Sequence, residues 1–397
     1  TLAVKLRPAA EKKVRQGHPW IFEGGIASVS KPGCAGDLPI IFAKKQNRVI
    51  GVGLYDPDSP IRIKLLHSGG PQKIDAGFFA ERLAQARSLR APLLQTDTNS
   101  YRLVFGESDG LPGLVADVYA DVLVLKLYSA IWRPYLTTLF PLLLQVANAS
   151  TLVLRLSRRL QHLPDWPTAW QDGFVLQGEL EDPVVIFREH GLRFAAHVVQ
   201  GHKTGYFLDH RHNRLRIQQL ASGKRVLDVF AYAGGFSVHA LAGGATEVCS
   251  VDISAQALDL ARANAQLNLL EGKHETQTGD AFVLLAAFAQ KRRQFDIVVV
   301  DPPAFAKSVR KRHNAVQGYR RLDAAALRKM KSGGILFTFS CSQVVGRELF
   351  YNTITAAAIE ARRHVKVMKF LSQPADHPIS LFHPEGEYLK GLVLYVE

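Results

Sequence analysis

Phe295-Asp296-Ile297-Val298-Val299-Val300 runs directly into Asp301-Pro302-Pro303-Ala304-Phe305. After its acid the run is wholly apolar, the pattern of a central strand in a parallel sheet covered on both faces. Two prolines cannot continue a ladder, so the strand stops and a rigid loop begins. Open α/β sheets bind ligands at that carboxyl edge, and Asp301 points a carboxylate there. Working outward, Arg225-Val226-Leu227-Asp228-Val229 is a second apolar strand, running into Phe230-Ala231-Tyr232-Ala233-Gly234-Gly235-Phe236 and then a helix. Such a turn brings a ligand against backbone N–H groups at a helix N-terminus. It lacks the G-x-G-x-x-G spacing of a dinucleotide site, which disfavours NAD. Glu247 to Asp252 ends a further strand on an acid able to accept hydrogen bonds from two ribose hydroxyls, with Ile253 beside it. A helix from Ala255 to Leu267 follows, and Thr278-Gly279-Asp280-Ala281-Phe282 closes a third strand with a polar and an aromatic group suited to an adenine. Gly334 to Phe339 is a fifth strand, delivering Ser340-Cys341-Ser342 to the same edge. Strands alternating with helices in this order predict an α/β domain.

The 397 residues suffice for two or three domains. The 49 Lys+Arg exceed the 35 Asp+Glu by 14, an excess that favours polyanionic partners, nucleic acid first. It is unevenly spread. Residues 1–72 carry a net +6, residues 73–185 a net −2, and residues 186–397 a net +10. The first block reads as short strands (Gly33 to Ile41, Arg48 to Tyr55, Arg62 to Leu66), suggesting a small barrel. The second mixes helices (Ala76 to Arg90, Arg133 to Asn148) with strands (Gly113 to Ala120, Asp121 to Tyr128, Thr151 to Leu156), an α+β pattern. No apolar run approaches the ~18–20 residues of a membrane span. Thr1 to Pro8 lacks the apolar core of a secretory signal. Three well-separated cysteines (Cys34, Cys249, Cys341) predict no metal site and suit a reducing cytoplasm.

With these residues in place, the chain resembles the class I S-adenosylmethionine-dependent RNA methyltransferases. Within them it is similar to the bacterial 23S rRNA 5-methylcytosine methyltransferase family with an N-terminal PUA domain. The resemblance covers essentially the whole chain: His18-Pro19-Trp20-Ile21-Phe22, Gly106-Glu107-Ser108-Asp109-Gly110-Leu111-Pro112-Gly113, Gly201 to Arg211, Asp301-Pro302-Pro303, Phe339-Ser340-Cys341-Ser342 and Tyr388-Leu389-Lys390-Gly391. It implies a PUA domain over 1–72, an α+β middle domain over 73–185 and a Rossmann-like methyltransferase domain over 186–397.

The same resemblance implies that Phe230, Ala231, Tyr232, Gly234, Gly235 and Phe236 form the S-adenosylmethionine loop. Asp252 and Ile253 then lie at the ribose, and Asp280 and Ala281 near the adenine, with Asp301 bordering the cofactor. Tyr206, Asp209 and Arg211 would close over the methionine end; the alternative is an Asp209–Arg211 structural pair. Cytosine C5 is too weak a nucleophile to attack a sulfonium methyl unaided, and a thiolate adding to C6 makes it enamine-like. Cys341 is the cysteine so placed; Cys249 reads as a core thiol inside a strand and Cys34 as a loop residue. Asp301 would hydrogen-bond N3 or the exocyclic amine. Many RNA 5-methylcytosine enzymes carry a second cysteine where this chain has Pro302-Pro303-Ala304, so one thiol must serve, and the base for the C5 proton stays unnamed.

Expected RNA contacts are Lys12, Lys13, Arg15, Lys44 and Lys45 in the first block. After the Asp-Pro-Pro motif, the basic loop Lys307 to Lys331 adds Lys307, Arg310, Lys311, Arg312 and Arg320, with Phe305 or Tyr319 stacking on an extruded base. His18 and Trp20 read as core or turn residues. The competing readings are a guanine-N7 rRNA methyltransferase of the same fold, which Cys341 disfavours, and a catalytically decayed RNA-binding scaffold. An N6-adenine enzyme would want an aromatic where Ala304 stands. No metal and no membrane partner are expected, and a homodimer stays open.

Overall fold

The computed structural model describes residues 1–45 and 48–397. Contacts divide the chain into two compact units. One comprises Thr1–Gly191, Ala196–Leu208 and Ala375–Gly386; the other comprises Leu192–Ala195, Asp209–Pro374 and Glu387–Glu397.

The first unit opens with β1 (Leu2–Leu6), α1 (Pro8–Arg15), β2 (Trp20–Ile21), β3 (Ile26–Val29), β4 (Pro39–Phe42), β5 (Val49–Tyr55) and β6 (Ile63–Ser68). These strands form one sheet in the order β2-β6-β5-β4-β1-β3. The run expected from Gly33 becomes a strand only at Pro39, and Leu2–Leu6 adds a strand that local pattern does not announce. Leu2, Val4 and Leu6 alternate with exposed neighbours, a period-two stripe facing the core. A second sheet follows α2 (Ala76–Leu89) and α3 (Ala91–Leu94): β7 (Ser100–Phe105), β8 (Leu114–Tyr119), β9 (Val122–Leu127), α4 (Leu136–Ala147), β10 (Thr151–Leu156), α5 (Arg158–Gln161) and β11 (Val175–Gln177). Its order is β11-β10-β9-β8-β7.

Three of the sequence segments that carry the family resemblance tie this unit together. Asp109 takes a bidentate pair from the fully buried Arg90 at 2.7 and 2.7 Å, while Glu107 Oε1 accepts Trp20 Nε1–H at 2.9 Å. Gly106, Gly110 and Gly113 hold φ of +52°, +71° and +69°, a left-handed path that a Cβ would strain. Thr204 Oγ1 donates to Asp117 Oδ2 at 2.5 Å, and Asp117 also holds Arg102 at 2.7 and 2.8 Å. Buried charges that share several donors in this way satisfy one another.

Between the sheets and the chemistry, β12 (Val184–Glu189) and β13 (Leu192–His197) lead on. The second unit then runs α6 (Arg211–Leu220), β14 (Arg225–Val229), α7 (Gly235–Ala242), β15 (Glu247–Asp252), α8 (Ala255–Gln266), β16 (Lys273–Thr278), α9 (Ala281–Gln290) and β17 (Phe295–Val300). It ends with α10 (Arg312–Leu327), β18 (Met330–Ser340), α11 (Arg347–Ala361), β19 (Val365–Ser372) and β20 (Lys390–Val396). The sheet order is β16-β15-β14-β17-β18-β20-β19, with β20 antiparallel to both its neighbours. β17 is central, and Val298, Val299 and Val300 are fully buried. Each stabilises by roughly 1.5–3 kcal/mol relative to exposure. β14 and β17 are parallel neighbours although β15 and β16 intervene in sequence, so the chain leaves them in opposite directions. A crevice opens at their carboxyl ends.

One expectation is corrected here. Lys307 to Lys331 is not a loop, because residues 312–327 of it are α10. Ala315, Tyr319, Leu322 and Ala326 are buried at helical spacing beneath a basic outer face. Among the described residues, no helix is long and apolar enough to cross a membrane.

Candidate active site

The crevice between β14 and β17 is built first from the turn after β14. Phe230, Tyr232 and Gly234 hold φ of +65°, +48° and +71°, three left-handed residues within five. Gly234 N–H donates to Ala231 O at 2.8 Å, and α7 starts at the next residue. A Cβ on Gly234 would meet the Ala261 Cβ at 2.7 Å, so glycine alone lets the turn lie this close to α8. Beneath the turn, Asp228 Oδ2 accepts Ser237 N–H at 3.1 Å and Ser237 Oγ–H at 2.6 Å. Burial pushes its carboxyl up to about 7.

Asp252 ends β15 with both oxygens engaged by backbone. Oδ2 accepts Tyr232 N–H at 3.0 Å and Oδ1 accepts Ser254 N–H at 2.9 Å. The acid is thereby locked to the turn, and each oxygen keeps a lone pair. Gly279 N–H donates to Asp252 O at 2.9 Å, bringing Asp280 alongside. Asp280 Oδ1 caps α9 through Phe282 N–H (2.9 Å) and Val283 N–H (3.1 Å), and Ala281 behind it is buried. Ile253 is 75% exposed. The residues expected at the cofactor, Phe230 to Phe236 with Asp252, Ile253, Asp280 and Ala281, therefore converge on one crevice. Asp209 and Arg211 are both buried; Asp209 Oδ2 accepts the Tyr388 hydroxyl at 2.6 Å. Tyr206 belongs to the first unit, where it is buried with its ring edge-on to Phe187 and its amide on the Tyr119 hydroxyl.

The opposite wall carries the residues expected at the substrate. Asp301, at the end of β17, has its Oδ2 3.1 Å from His210 Nε2. Cys341 follows β18 and lines a cavity of about 270 Å³ together with Ala304, Ala306, Lys307, Ser342 and Tyr388. Three contacts hold the Cys341 loop: Ser342 Oγ donates to Ala306 O at 2.8 Å, and Lys390 Nζ donates to Ser342 O at 2.7 Å and Val345 O at 2.8 Å. Burial pushes the Lys390 ammonium down to about 8, opposed by the nearby Cys341. Cys249 is a core thiol, pushed up to about 12 by burial, and Cys34 is exposed.

Tyr319 is the clearest departure from expectation among the RNA candidates. It is fully buried, with its ring centroid 4.7 Å from Phe305 and 5.8 Å from Phe350. Its hydroxyl lies 3.0 Å from Ser340 Oγ, and burial pushes it up to about 12. It braces the residue before Cys341 and offers no face to a base. Phe305 is half-buried on that ring, and Arg320 is engaged by Glu360 at 3.3 Å. Lys307, Arg310, Lys311 and Arg312 are exposed. In the first unit, Lys12, Lys13 and Arg15 on α1 meet Lys44 and Lys45 through Glu11, which holds Arg15 (2.9 Å) and Lys44 N–H (3.0 Å). Sequence reading assigned no role to His210 or Lys390, although both stand inside segments it quoted.

An open sheet with this switch point, a tight turn leading into a helix, and acids ending the next two strands defines the class I methyltransferase architecture. A family model for S-adenosylmethionine-dependent methyltransferases matches residues 102–380, and one for a PUA-like domain matches residues 4–68. A ribosomal RNA large subunit methyltransferase of Deinococcus radiodurans is 40% identical, covering 100% of this chain and 98% of the relative. Ribosomal RNA large subunit methyltransferase I of Escherichia coli K12 is 38% identical over 98% of each. In fold, a candidate S-adenosylmethionine-dependent methyltransferase from Streptococcus mutans superposes with a TM-score of 0.84 at 20% identity, each chain covered completely. A further methyltransferase structure, complexed with SAH, matches with the same score at 19% identity. The chain belongs to the ribosomal RNA large subunit methyltransferase family of S-adenosylmethionine-dependent enzymes.

The residues present fit that cofactor. Asp252, held by the amides of Tyr232 and Ser254, offers a fixed acceptor for a ribose diol beside the turn that leads into α7. Among the described residues, no group of His, Cys, Asp and Glu is placed to hold a metal ion.

Proposed function

We propose that this protein methylates C5 of a cytosine in large-subunit rRNA, with Cys341 as the nucleophile. The observation that carries the reading is the position of Cys341: it lines the cavity bounded by the loop after Asp301, on a backbone tied down by Lys390 and Ser342. S-adenosylmethionine would be held by the Phe230–Phe236 turn, Asp252 and Asp280, and would supply an electrophilic methyl group. The chain's own part is to make C5 nucleophilic. As the Cys341 thiolate bonds to C6, the C5=C6 pair becomes C4=C5 and the displaced C4=N3 pair takes up a proton at N3, leaving an enamine. When C5 takes the methyl group, the C4=C5 pair would form the new bond as the methyl–sulfonium bond breaks to leave the thioether, C4=N3 re-forms and N3 gives up its proton; loss of the C5 proton then re-forms C5=C6 and expels the thiolate. Asp301 faces the polar edge of the base. Lys307, Arg310, Lys311 and Arg312 beside the cavity, and Lys12, Lys13, Lys44 and Lys45 on the PUA-like domain, support an RNA substrate, since cationic contacts supply much of nucleic-acid affinity.

The test is nucleoside analysis of large-subunit rRNA from a strain lacking the protein, before and after incubation with purified enzyme and cofactor. Restored 5-methylcytosine is expected; 7-methylguanine instead would replace this reading with the guanine-N7 one.

A further inference from the structure

We propose that His210 is a specificity-determining positioning residue: it keeps Asp301 an oriented carboxylate, which selects the exocyclic amine of cytosine against the carbonyl of uracil. The inference rests on the cytosine-C5 reading and deepens it.

The argument begins with the imidazole tautomer. His210 Nδ1 lies 3.2 Å from Asn213 Nδ2, and the same amide nitrogen reaches Ser372 O at 3.4 Å. A nitrogen aimed at a carbonyl is the NH2 end of the amide, so Nδ1 accepts and the ring proton sits on Nε2. Nε2–H then donates to Asp301 Oδ2 at 3.1 Å. The rest of the ring is packed by apolar groups, Phe339 from β18 (4.6 Å between centroids) and Phe236 from α7 (5.3 Å). The charged groups beside it include Asp301 from the loop after β17 and its chain neighbours Asp209 and Arg211. Asp209 is taken by the Tyr388 hydroxyl. His210 itself is only 6% exposed at its side chain, so water does not compete for the bond.

A donor fixed on one oxygen holds the Asp301 carboxylate in one orientation and turns Oδ1 toward the base as an acceptor. At C4, cytosine presents an amine donor and uracil a carbonyl acceptor. An acidic side chain accepting from the cytosine amine is a recognised discriminating contact, each good pair being worth roughly 10- to 100-fold. Opposite uracil, two acceptors would face each other. Both pyrimidines can undergo thiol addition at C6, so the chemistry alone does not choose between them.

The experiment compares large-subunit rRNA transcripts carrying cytosine or uracil at the position where methylation maps. kcat and KM on each transcript are measured for wild type, His210→Gln and His210→Leu. In His210→Leu the cytosine-over-uracil ratio should fall about 10-fold or more. His210→Gln, which keeps an N–H donor, should retain most of the discrimination. Should His210→Leu fail to fold, Asp301→Asn serves: its amide offers donor and acceptor alike, and discrimination should collapse. Unchanged discrimination in a folded His210→Leu, or in Asp301→Asn, would overturn the proposal, as would equal losses in the Gln and Leu variants. If wild type forms no Cys341 adduct with the same RNA carrying 5-fluorocytosine, the underlying functional reading fails instead, whatever His210 does.

Discussion

Lys390 Nζ donates to Ser342 O at 2.7 Å, so the side chain of β20 clamps the backbone immediately after Cys341. β18 and β20 are antiparallel with Ser340 opposite Lys390, and that register places the ammonium under the loop. Val345 O takes a second proton at 2.8 Å. Buried ammonium groups are costly unless their donors are used, and two of three are accounted for here. Lys390→Met keeps the stem and removes the clamp and the charge. Methyl transfer should fall about 10- to 100-fold, in line with charged hydrogen bonds worth roughly 1.5–3 kcal/mol. Alkylation of Cys341 by iodoacetamide at pH 7, followed by mass spectrometry, should slow severalfold because the nearby cation favours the thiolate. S-adenosylmethionine affinity by calorimetry should not change.

Cys341→Ala should abolish methyl transfer while leaving S-adenosylmethionine binding intact. The crevice proposed for the cofactor is built from β14, β15, β16 and the turns after them, none of which contains Cys341. Cys249 cannot substitute, being fully buried within β15. Single-turnover transfer with calorimetry in parallel checks both halves, and full activity in the variant would end the covalent mechanism.

Tyr319→Phe separates a brace from a stacking platform. Losing the hydroxyl opposite Ser340 should cost about 1 kcal/mol of stability. It should lower kcat severalfold with KM for RNA unchanged. A base-stacking tyrosine would tolerate Phe, whereas Tyr319→Ala would raise KM. Thermal unfolding should show the Ala variant destabilised by roughly 3–5 kcal/mol through the cavity it leaves.

The methyltransferase half was readable because its strands are apolar runs ending in acids or prolines, signals carried within a few residues. Phe295–Val300 and the acid at Asp252 both stand where pattern puts them. The first sheet was less legible. Leu2–Leu6 is five residues, and its alternation acquires meaning only once β4 pairs alongside it. α10 was hidden by its own surface: nine Lys/Arg between Lys307 and Lys331 mask a buried stripe at helical spacing. The supporting residues of the site were the least legible. His210 and Asp301 lie far apart in sequence, as do Lys390 and Ser342, and no local pattern encodes a contact made by sheet closure.

The two basic patches on the PUA-like domain meet at Glu11, which suggests that they act as one phosphate-facing surface. Replacing Lys12, Lys13 and Lys44 together by Ala should weaken RNA binding at all sequences and leave cofactor affinity untouched. Each lost phosphate contact should reduce the slope of log K against log salt by about 0.7–0.9. Filter binding between 50 and 300 mM salt reads this directly; an unchanged slope would place RNA elsewhere.

Asp323 gives the fold a pH dependence of predictable sign. It lies on α10, fully buried, and burial pushes its carboxyl up to about 7, with the Thr338 hydroxyl pulling the other way. The ordinary carboxyl value of 3.8 applies to the unfolded chain. The folded state therefore holds a proton that the unfolded state has released, and stability falls as pH rises from about 4 to about 7, then levels off. Between pH 5 and 8 this one group should cost roughly 2–3 kcal/mol. Asp323→Asn, with the same shape and no charge to bury, removes the dependence. Its melting temperature should differ little from wild type at pH 5 and exceed it by several degrees at pH 8. A gap that stayed constant across that range would mean that Asp323 does not titrate in the folded protein over this window.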